Sequence, residues 1–513
     1  MSLIPGRLRA SSRSDLVVGG IAVVVVFGLA VAEPGDVGFL LAGLAVGAVV
    51  FALAVSDPLL ALLLVVVSSF LRTAQKEFVS VEALTPAFWA MLLALALALA
   101  RRAKDWPRLG VVEWLMAAYL AWNITSMLIP HEYDAVDPVT GTSIDTYRWL
   151  FAGVMLPLVV YVVAKSVLDD ERSVRWLLWT TVGMSAYSSW VSILQFHGPK
   201  SLVWPSYIVD APNWEGRANG VFNQPVVNGL ILVVGFVVCL FLADRPGTRR
   251  WVRFGLWALA GAAAYSVYLT HTRAALLALI VVLGLGIVLA SGWRRGFVVS
   301  AVLGLLAVAA NASTFFSSDR SAGGVGSSNE VYDRLNIMAT CLRAVAEHPF
   351  VGIGLGRFEA YNTSEHVVWS QEMDWNRGWG IISHQNELGI AAELGIPGVL
   401  LWIAVVVAVM WTLWRAIREL PRDEFLGAPL AVVGAMVMVV MVVNGLTVDL
   451  RILDFAGMLP FLYAGMVAGQ LDRHRRRRPE PRNGTAGAGL PGGMSPAEVA
   501  DWEADHRRLV TAK

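Results

Sequence analysis

Apolar residues in this chain come in long runs separated by shorter polar stretches. Crossing a bilayer takes about 20 mostly apolar residues. Measured against that length, candidate spans lie at 16–33, 36–55, 58–71, 83–100, 110–128, 148–167, 174–194, 225–243, 251–270, 273–291, 296–314, 397–415, 427–444 and 452–470. The run at 58–71 is too short to cross without help from its flanks, so the pattern predicts an all-α polytopic membrane protein with about 12–14 transmembrane helices. Composition agrees. Of 513 residues, 56% are hydrophobic and 15% charged, a balance that excludes a soluble globular enzyme.

A net charge of +1 says little; the positions of the charges say more. With the N-terminus in the cytoplasm, the inner segments receive the basic clusters Arg7/Arg9/Arg13, Arg101/Arg102/Lys104/Arg108, Lys165/Arg172/Arg175, Arg245/Arg249/Arg250/Arg253, Arg294/Arg295, Arg415/Arg418/Arg422 and Arg473/Arg475–Arg478. The positive-inside rule expects this alternation. Arg7 to Arg13 followed by Leu16–Ala32 is similar to a secretory signal, with Ala30-Val31-Ala32 as a small-residue site. The run is long and more spans follow at once, so a retained signal anchor is expected. From Pro479 the chain is rich in Pro, Gly and Ala and reads as a disordered cytoplasmic tail. Both termini are thus expected inside a bacterial cytoplasmic membrane. Cys239 and Cys341 fall on opposite sides of it, which argues against a disulfide.

The expected organisation is N-terminal transmembrane helices at 1–144, central helices with an outer loop 195–224 at 145–314, an extracytoplasmic catalytic loop at 315–396, C-terminal helices at 397–471, and a basic tail at 472–513. Long outer segments lie at 129–147, 195–224 and 315–396, and loops of that size commonly carry function. In the longest, Ser318–Ser328 is a Gly/Ser linker. Val331, Leu335, Met338, Leu342 and Val345 then follow helical spacing, predicting an amphipathic helix along the membrane surface or across the mouth of the bundle, ending at His348-Pro349. Gly352-Ile353-Gly354-Leu355-Gly356 predicts a tight turn, since no strand precedes it as a nucleotide-binding glycine motif requires. Ser383 is expected to cap a short helix running to Glu393, closed by Gly395 and Pro397, with His384 at its first position, where the helix dipole disfavours imidazolium.

His384 is either a capping histidine at the membrane surface or a general base for a hydroxyl nucleophile. Arg217 precedes a span on the outer side and Arg273 opens a span from an outer hairpin. Each is either a snorkelling anchor or part of a bidentate clamp on phosphate. Together with a neutral histidine they suit a diphosphate leaving group beside a base. Trp369, Trp375 and Trp379 read equally as an interfacial aromatic belt or as platforms for sugar rings. Asp449, Arg451 and Asp454 read as a local ion-pair cluster. No metal-ligand spacing is present and no cofactor is expected.

Arg334-Leu335-Asn336, then Glu347-His348-Pro349-Phe350-Val351-Gly352 through Arg357-Phe358, then His384-Gln385-Asn386-Glu387-Leu388 and Glu393-Leu394-Gly395-Ile396-Pro397-Gly398 resemble the signature region of the O-antigen ligase and O-antigen polymerase superfamily. Arg217 with Gly220 and Phe222, and Thr270 with Arg273, resemble two further elements of that family. The likeness covers roughly 145–470; the family has His-Asn adjacent, whereas here Gln385 intervenes. The resemblance implies a metal-independent, inverting glycosyltransferase of the GT-C type. It would move a glycan from a polyprenyl-diphosphate carrier to the hydroxyl of a glycan, lipid or protein acceptor at the outer face, in assembly of cell-surface or cell-wall polysaccharide. His384 would be catalytic; Arg217, Arg273 and Arg334 would bind the diphosphate; Asn386, Glu387, Trp375 and Trp379 would be acceptor or sugar contacts. Membrane lipid is the surrounding partner and nucleic acid is not expected. The competing function is a transporter of lipid-linked glycan or small anions; no inverted repeat or acidic coupling residue within a span supports it.

Overall fold

The computed structural model describes residues 50–76, 82–136, 140–210, 214–319, 323–326 and 329–477. The N-terminal anchor, the span at 16–33, most of that at 36–55, part of the Gly/Ser linker and the tail from Pro479 lie outside the described residues. The chain divides into a body ending at Leu471 and a segment from Asp472.

Among the described residues the regular elements are helical, apart from one isolated bridge between Val136 and Ser143. They are α1 (Pro58–Phe70), α2 (Leu84–Ala100), α3 (Val111–Leu128), α4 (Thr146–Val167), α5 (Glu171–His197), α6 (Pro225–Ala243), α7 (Arg250–Leu269), α8 (Arg273–Leu289), α9 (Arg295–Ala310), α10 (Asn329–Glu347), α11 (Phe358–Ser364), α12 (Asn386–Glu419), α13 (Ala428–Gly445) and α14 (Asp454–Arg477). Each expected span from residue 58 onward coincides with one of them. By length and composition α3, α4, α6, α7, α12 and α13 can cross a membrane, and α1, α2, α8 and α9 are shorter apolar helices. The protein is an all-α polytopic membrane protein.

Local signals set the helix starts. Asp57 caps α1 by accepting from Leu59 N (2.8 Å), with Pro58 at the first position, where its missing N–H costs nothing. Pro225 likewise takes the first position of α6, where no side chain caps the helix. Helix α6 is apolar on every side and almost wholly buried, as is α13, so these two form the centre of the bundle. In contrast, α9 buries only Gly296 and Phe297 and turns Leu303, Leu305 and Leu306 outward.

The long polar region between α9 and α12 folds on the end of α12. Its small core joins Ile337, Cys341 and Ala344 of α10 with Ile353, Phe358, Tyr361 and Ala392. The amphipathic helix forms where expected, but a different face is packed. Val331 and Leu342 of the predicted stripe are exposed, while the small residues Cys341 and Ala344 allow close approach to α12. Polar side chains on that face hold the aromatic loop. Asn336, fully buried, donates to the carbonyls of Asp374 (3.3 Å) and Arg377 (3.0 Å) and accepts from Trp369 N (2.9 Å). Asn362 donates to the carbonyls of Gly378 (2.7 Å) and Ile381 (2.9 Å), fixing the strand of chain that delivers His384.

Candidate functional site

The helix bearing the HQNE stretch begins two residues later than the sequence suggests. Gln385, not Ser383, is the cap: its side-chain oxygen accepts from Leu388 N at 2.6 Å, and Asn386 is the first helical residue. Ser383 is engaged elsewhere, donating to Asp449 Oδ2 (3.2 Å) or to the Gln385 carbonyl (3.1 Å). His384 therefore lies just outside the helix, and the dipole of its first turn is not what keeps the ring neutral. Burial is the main cause: half-buried, its pKa falls below the usual 6.5, with the Arg334 cation adding to the effect against the opposing pull of hydrogen bonds the ring makes to the backbone. Nδ1 lies 3.1 Å from the Ile382 carbonyl. A carbonyl can only accept, so Nδ1 carries the proton and Nε2 of the neutral ring keeps its lone pair.

The three arginines lie on segments that lead toward this histidine. Arg217 donates from Nε to the Thr270 carbonyl (3.2 Å) and from Nη2 to Thr272 Oγ1 (2.7 Å), with its guanidinium 5.0 Å from the Trp214 ring centre. Arg273, next in the same hairpin, pairs with Glu330 at 3.3 Å. Glu330 opens α10, and Arg334 follows one turn later on the same face, close enough to act on His384. A cavity of about 10 Å³ lies beside Arg273, His271 and Thr272 under Gly323–Val325. That space holds about one water, so a diphosphate would meet these arginines from outside it.

Asn386 and Glu387 are committed to local structure. Asn386 is buried, accepting from Leu450 N (3.2 Å), while Glu387 accepts from Gln385 (3.2 Å), Asn386 (3.3 Å) and Trp402 (3.4 Å) side chains. Trp375 and Trp379 lie 5.8 Å apart, centre to centre, both exposed, with His366 packed edgewise on Trp375. Trp379 Nε1 donates to the Thr363 carbonyl of α11 (3.0 Å).

A buried ion triad that sequence reasoning underrated supports the segment. Arg451 pairs with Asp449 (2.6 Å) and with Glu393 (2.8 Å), and all three side chains are at most 4% exposed. Asp449 also receives Ser383, so the triad reaches the residue before His384. A seven-residue π-helical stretch of α4, Trp149–Met155, brings Trp149 under Arg451, 5.3 Å from guanidinium carbon to ring centre. Asp454 is not part of this group; it pairs with Arg72 (3.2 Å). Glu393 in turn accepts from Phe358 N (3.2 Å) and Gly356 N, clasping the glycine turn. Gly352, Gly354 and Gly356 all have positive φ (67°, 101° and 72°), and a Cβ on Gly354 would strike the His131 ring at 2.6 Å. The turn is bolted to the end of α12 by Ile353 N to Ala392 O (2.9 Å) and Gly354 N to Glu393 O (2.9 Å). Gly395 (φ 71°) breaks α12 at that point, as its spacing before Pro397 suggests. Only the pairing of residues far apart in sequence hides the triad; Glu393 and Arg451 carried no joint signal.

Among the described residues no group of three or more His, Cys, Asp or Glu side chains is placed to hold a metal ion. No curated protein matches the chain. Residues 258–403, which take in Arg273, Arg334, the glycine turn, His384 and Glu393 but neither Arg217 nor Arg451, match the family model described as O-antigen ligase, supporting the resemblance to the O-antigen ligase and polymerase superfamily.

Proposed function

We propose that the protein is a glycosyltransferase of the O-antigen ligase or polymerase type, moving a glycan from a polyprenyl-diphosphate carrier to an acceptor hydroxyl at the outer face of the membrane. The observation that carries this reading is His384: a neutral ring with Nδ1–H fixed on the Ile382 carbonyl, beside Arg334, toward which the segments bearing Arg273 and Arg217 lead. The acceptor O–H gives its proton to His384 Nε2 as its oxygen attacks the anomeric carbon. The bond from that carbon to the diphosphate oxygen breaks, the carrier diphosphate leaves with the electron pair, and the anomeric configuration inverts. The arginines neutralise charge that grows on the departing diphosphate. A preorganised contact of this kind in a water-poor site is worth about 3 kcal/mol, roughly a hundredfold in rate. No step calls for a metal.

The test is reconstitution. Purified protein in liposomes, given a polyprenyl-diphosphate oligosaccharide and an acceptor, should release one polyprenyl diphosphate per glycosylated acceptor, with a chelator present throughout. Movement of the intact lipid-linked glycan or of anions across the bilayer, with no cleavage, would instead make it a transporter.

A further inference from the structure

The hairpin between α13 and α14 serves two neighbourhoods. Asp449 receives Ser383, while Ile452, Leu453 and Asp454 line a cavity of about 220 Å³. Its other walls bring Arg72 and Lys76 from the single helical turn that follows α1, Arg148 from the start of α4, and Asn223 and Gln224 at the N-terminus of α6. Three cations thus face one carboxylate in the lining.

The charges are unequally committed. Arg72 is shared between Glu82 and Asp454, and Asp454 also accepts from Ser69 Oγ (2.7 Å). Lys76 and Arg148 are exposed, and among the described residues neither has a carboxylate within ion-pair distance. The backbone adds to the field. Gln224 gives α6 no side-chain cap, and Val227 of its first turn lines the cavity, so the positive end of a 19-residue helix opens toward it. Cations gathered at an uncapped helix N-terminus make an anion site, and the oxygens of phosphate match both kinds of donor. Pockets that enclose a whole small ligand run to about 300–1,000 Å³. This one is smaller and suits a phosphate or diphosphate group whose remainder lies outside. It sits where four helices start or end, the depth at which a lipid headgroup meets a membrane protein.

We propose that this cavity binds the phosphate or diphosphate group of a lipid-anchored ligand, at a place separate from the row of Arg217, Arg273 and Arg334. The inference goes beyond the transferase reading and rests on it only for its use: a protein with two such sites can hold two carrier-borne glycans together, which polymerising transfer requires and transfer to an uncharged acceptor does not.

Full-length protein in nanodiscs of zwitterionic lipid, titrated with a short-chain polyprenyl diphosphate and separately with inorganic diphosphate, tests it. The Lys76→Gln/Arg148→Gln variant should lose at least tenfold in affinity at one of two sites. Lys76→Arg/Arg148→Lys should keep it, and Arg217→Gln/Arg273→Gln should keep that site while losing the other. Tighter binding of the lipid than of inorganic diphosphate assigns the site to a headgroup; tighter or equal binding of the inorganic ion overturns the lipid-anchored source. Wild-type binding of both probes by Lys76→Gln/Arg148→Gln, with an unchanged melting temperature, overturns the site altogether. If both sites bind but no glycan is transferred, the transferase reading fails and this one stands.

Discussion

Replacing Arg451 by Met should be far more damaging than the loss of one charge pair suggests. The guanidinium lies between Asp449 at 2.6 Å and Glu393 at 2.8 Å, and the side chains are 4%, 2% and 1% exposed. Methionine fills similar volume but leaves two carboxylates buried without a counter-charge, one of which must then take up a proton. Breaking a buried pair by removing one partner costs about 3–5 kcal/mol. That is a large share of a typical folding stability of about 5–15 kcal/mol. The triple change Arg451→Met, Glu393→Gln and Asp449→Asn removes every charge and should recover more than half of the loss, because amides can still serve Ser383, Gly356 and Phe358. Equilibrium unfolding in mixed micelles, followed by tryptophan fluorescence, measures each variant. A single Arg451→Met variant within about 0.5 kcal/mol of wild type, or a triple variant no better than the single, would refute the view that the triad is one electrostatic unit.

Three further outcomes are expected. The pH profile of transfer should have its acid limb below 6.5, since the folded pKa of His384 is depressed and the base form is lost only as pH falls through it; Arg334→Gln removes one depressing cation and should move that limb upward, and an unmoved limb would separate Arg334 from His384. Arg273→Lys keeps the charge but loses the fork, and should lower turnover about a hundredfold in single-turnover assays; normal turnover would favour a snorkelling anchor. Gly354→Ala should destabilise the loop by about 1–3 kcal/mol, because the position has φ of 101° and faces His131; hydrogen exchange at Ile353 and Gly354 would report it, and unchanged protection would show that the turn adapts.

The spans from residue 58 onward, the break at Gly395 and the helix around Arg334 were legible because each rests on local pattern: apolar run length, a glycine before proline, helical spacing. The packed face of α10 was not, because the stripe of larger apolar residues lost to small ones that fit against α12. The cap was misread for a related reason. Ser383 is the better capping residue in isolation, but Asp449, 66 residues away, holds its hydroxyl, and Gln385 takes the role. Thus Gln385, which parts His384 from Asn386, shifts the helix start and places the histidine outside the first turn. The triad illustrates the general limit: Glu393 and Arg451 show as a lone acid and a lone base until folding sets them 2.8 Å apart. Arg217 and Arg273 were legible as a pair, and what links their hairpin to α10, Thr272 beside Arg217 and Glu330 beside Arg273, emerges only from the packing.

The central claim concerns His384, and its most direct test is glycan transfer by His384→Ala protein whose folding matches wild type by thermal melting. Release of polyprenyl diphosphate and appearance of glycosylated acceptor should both fall by at least a hundredfold, while binding of the lipid-linked donor stays within a few-fold, because the arginine row is untouched. Transfer at the wild-type rate by that variant would contradict the account.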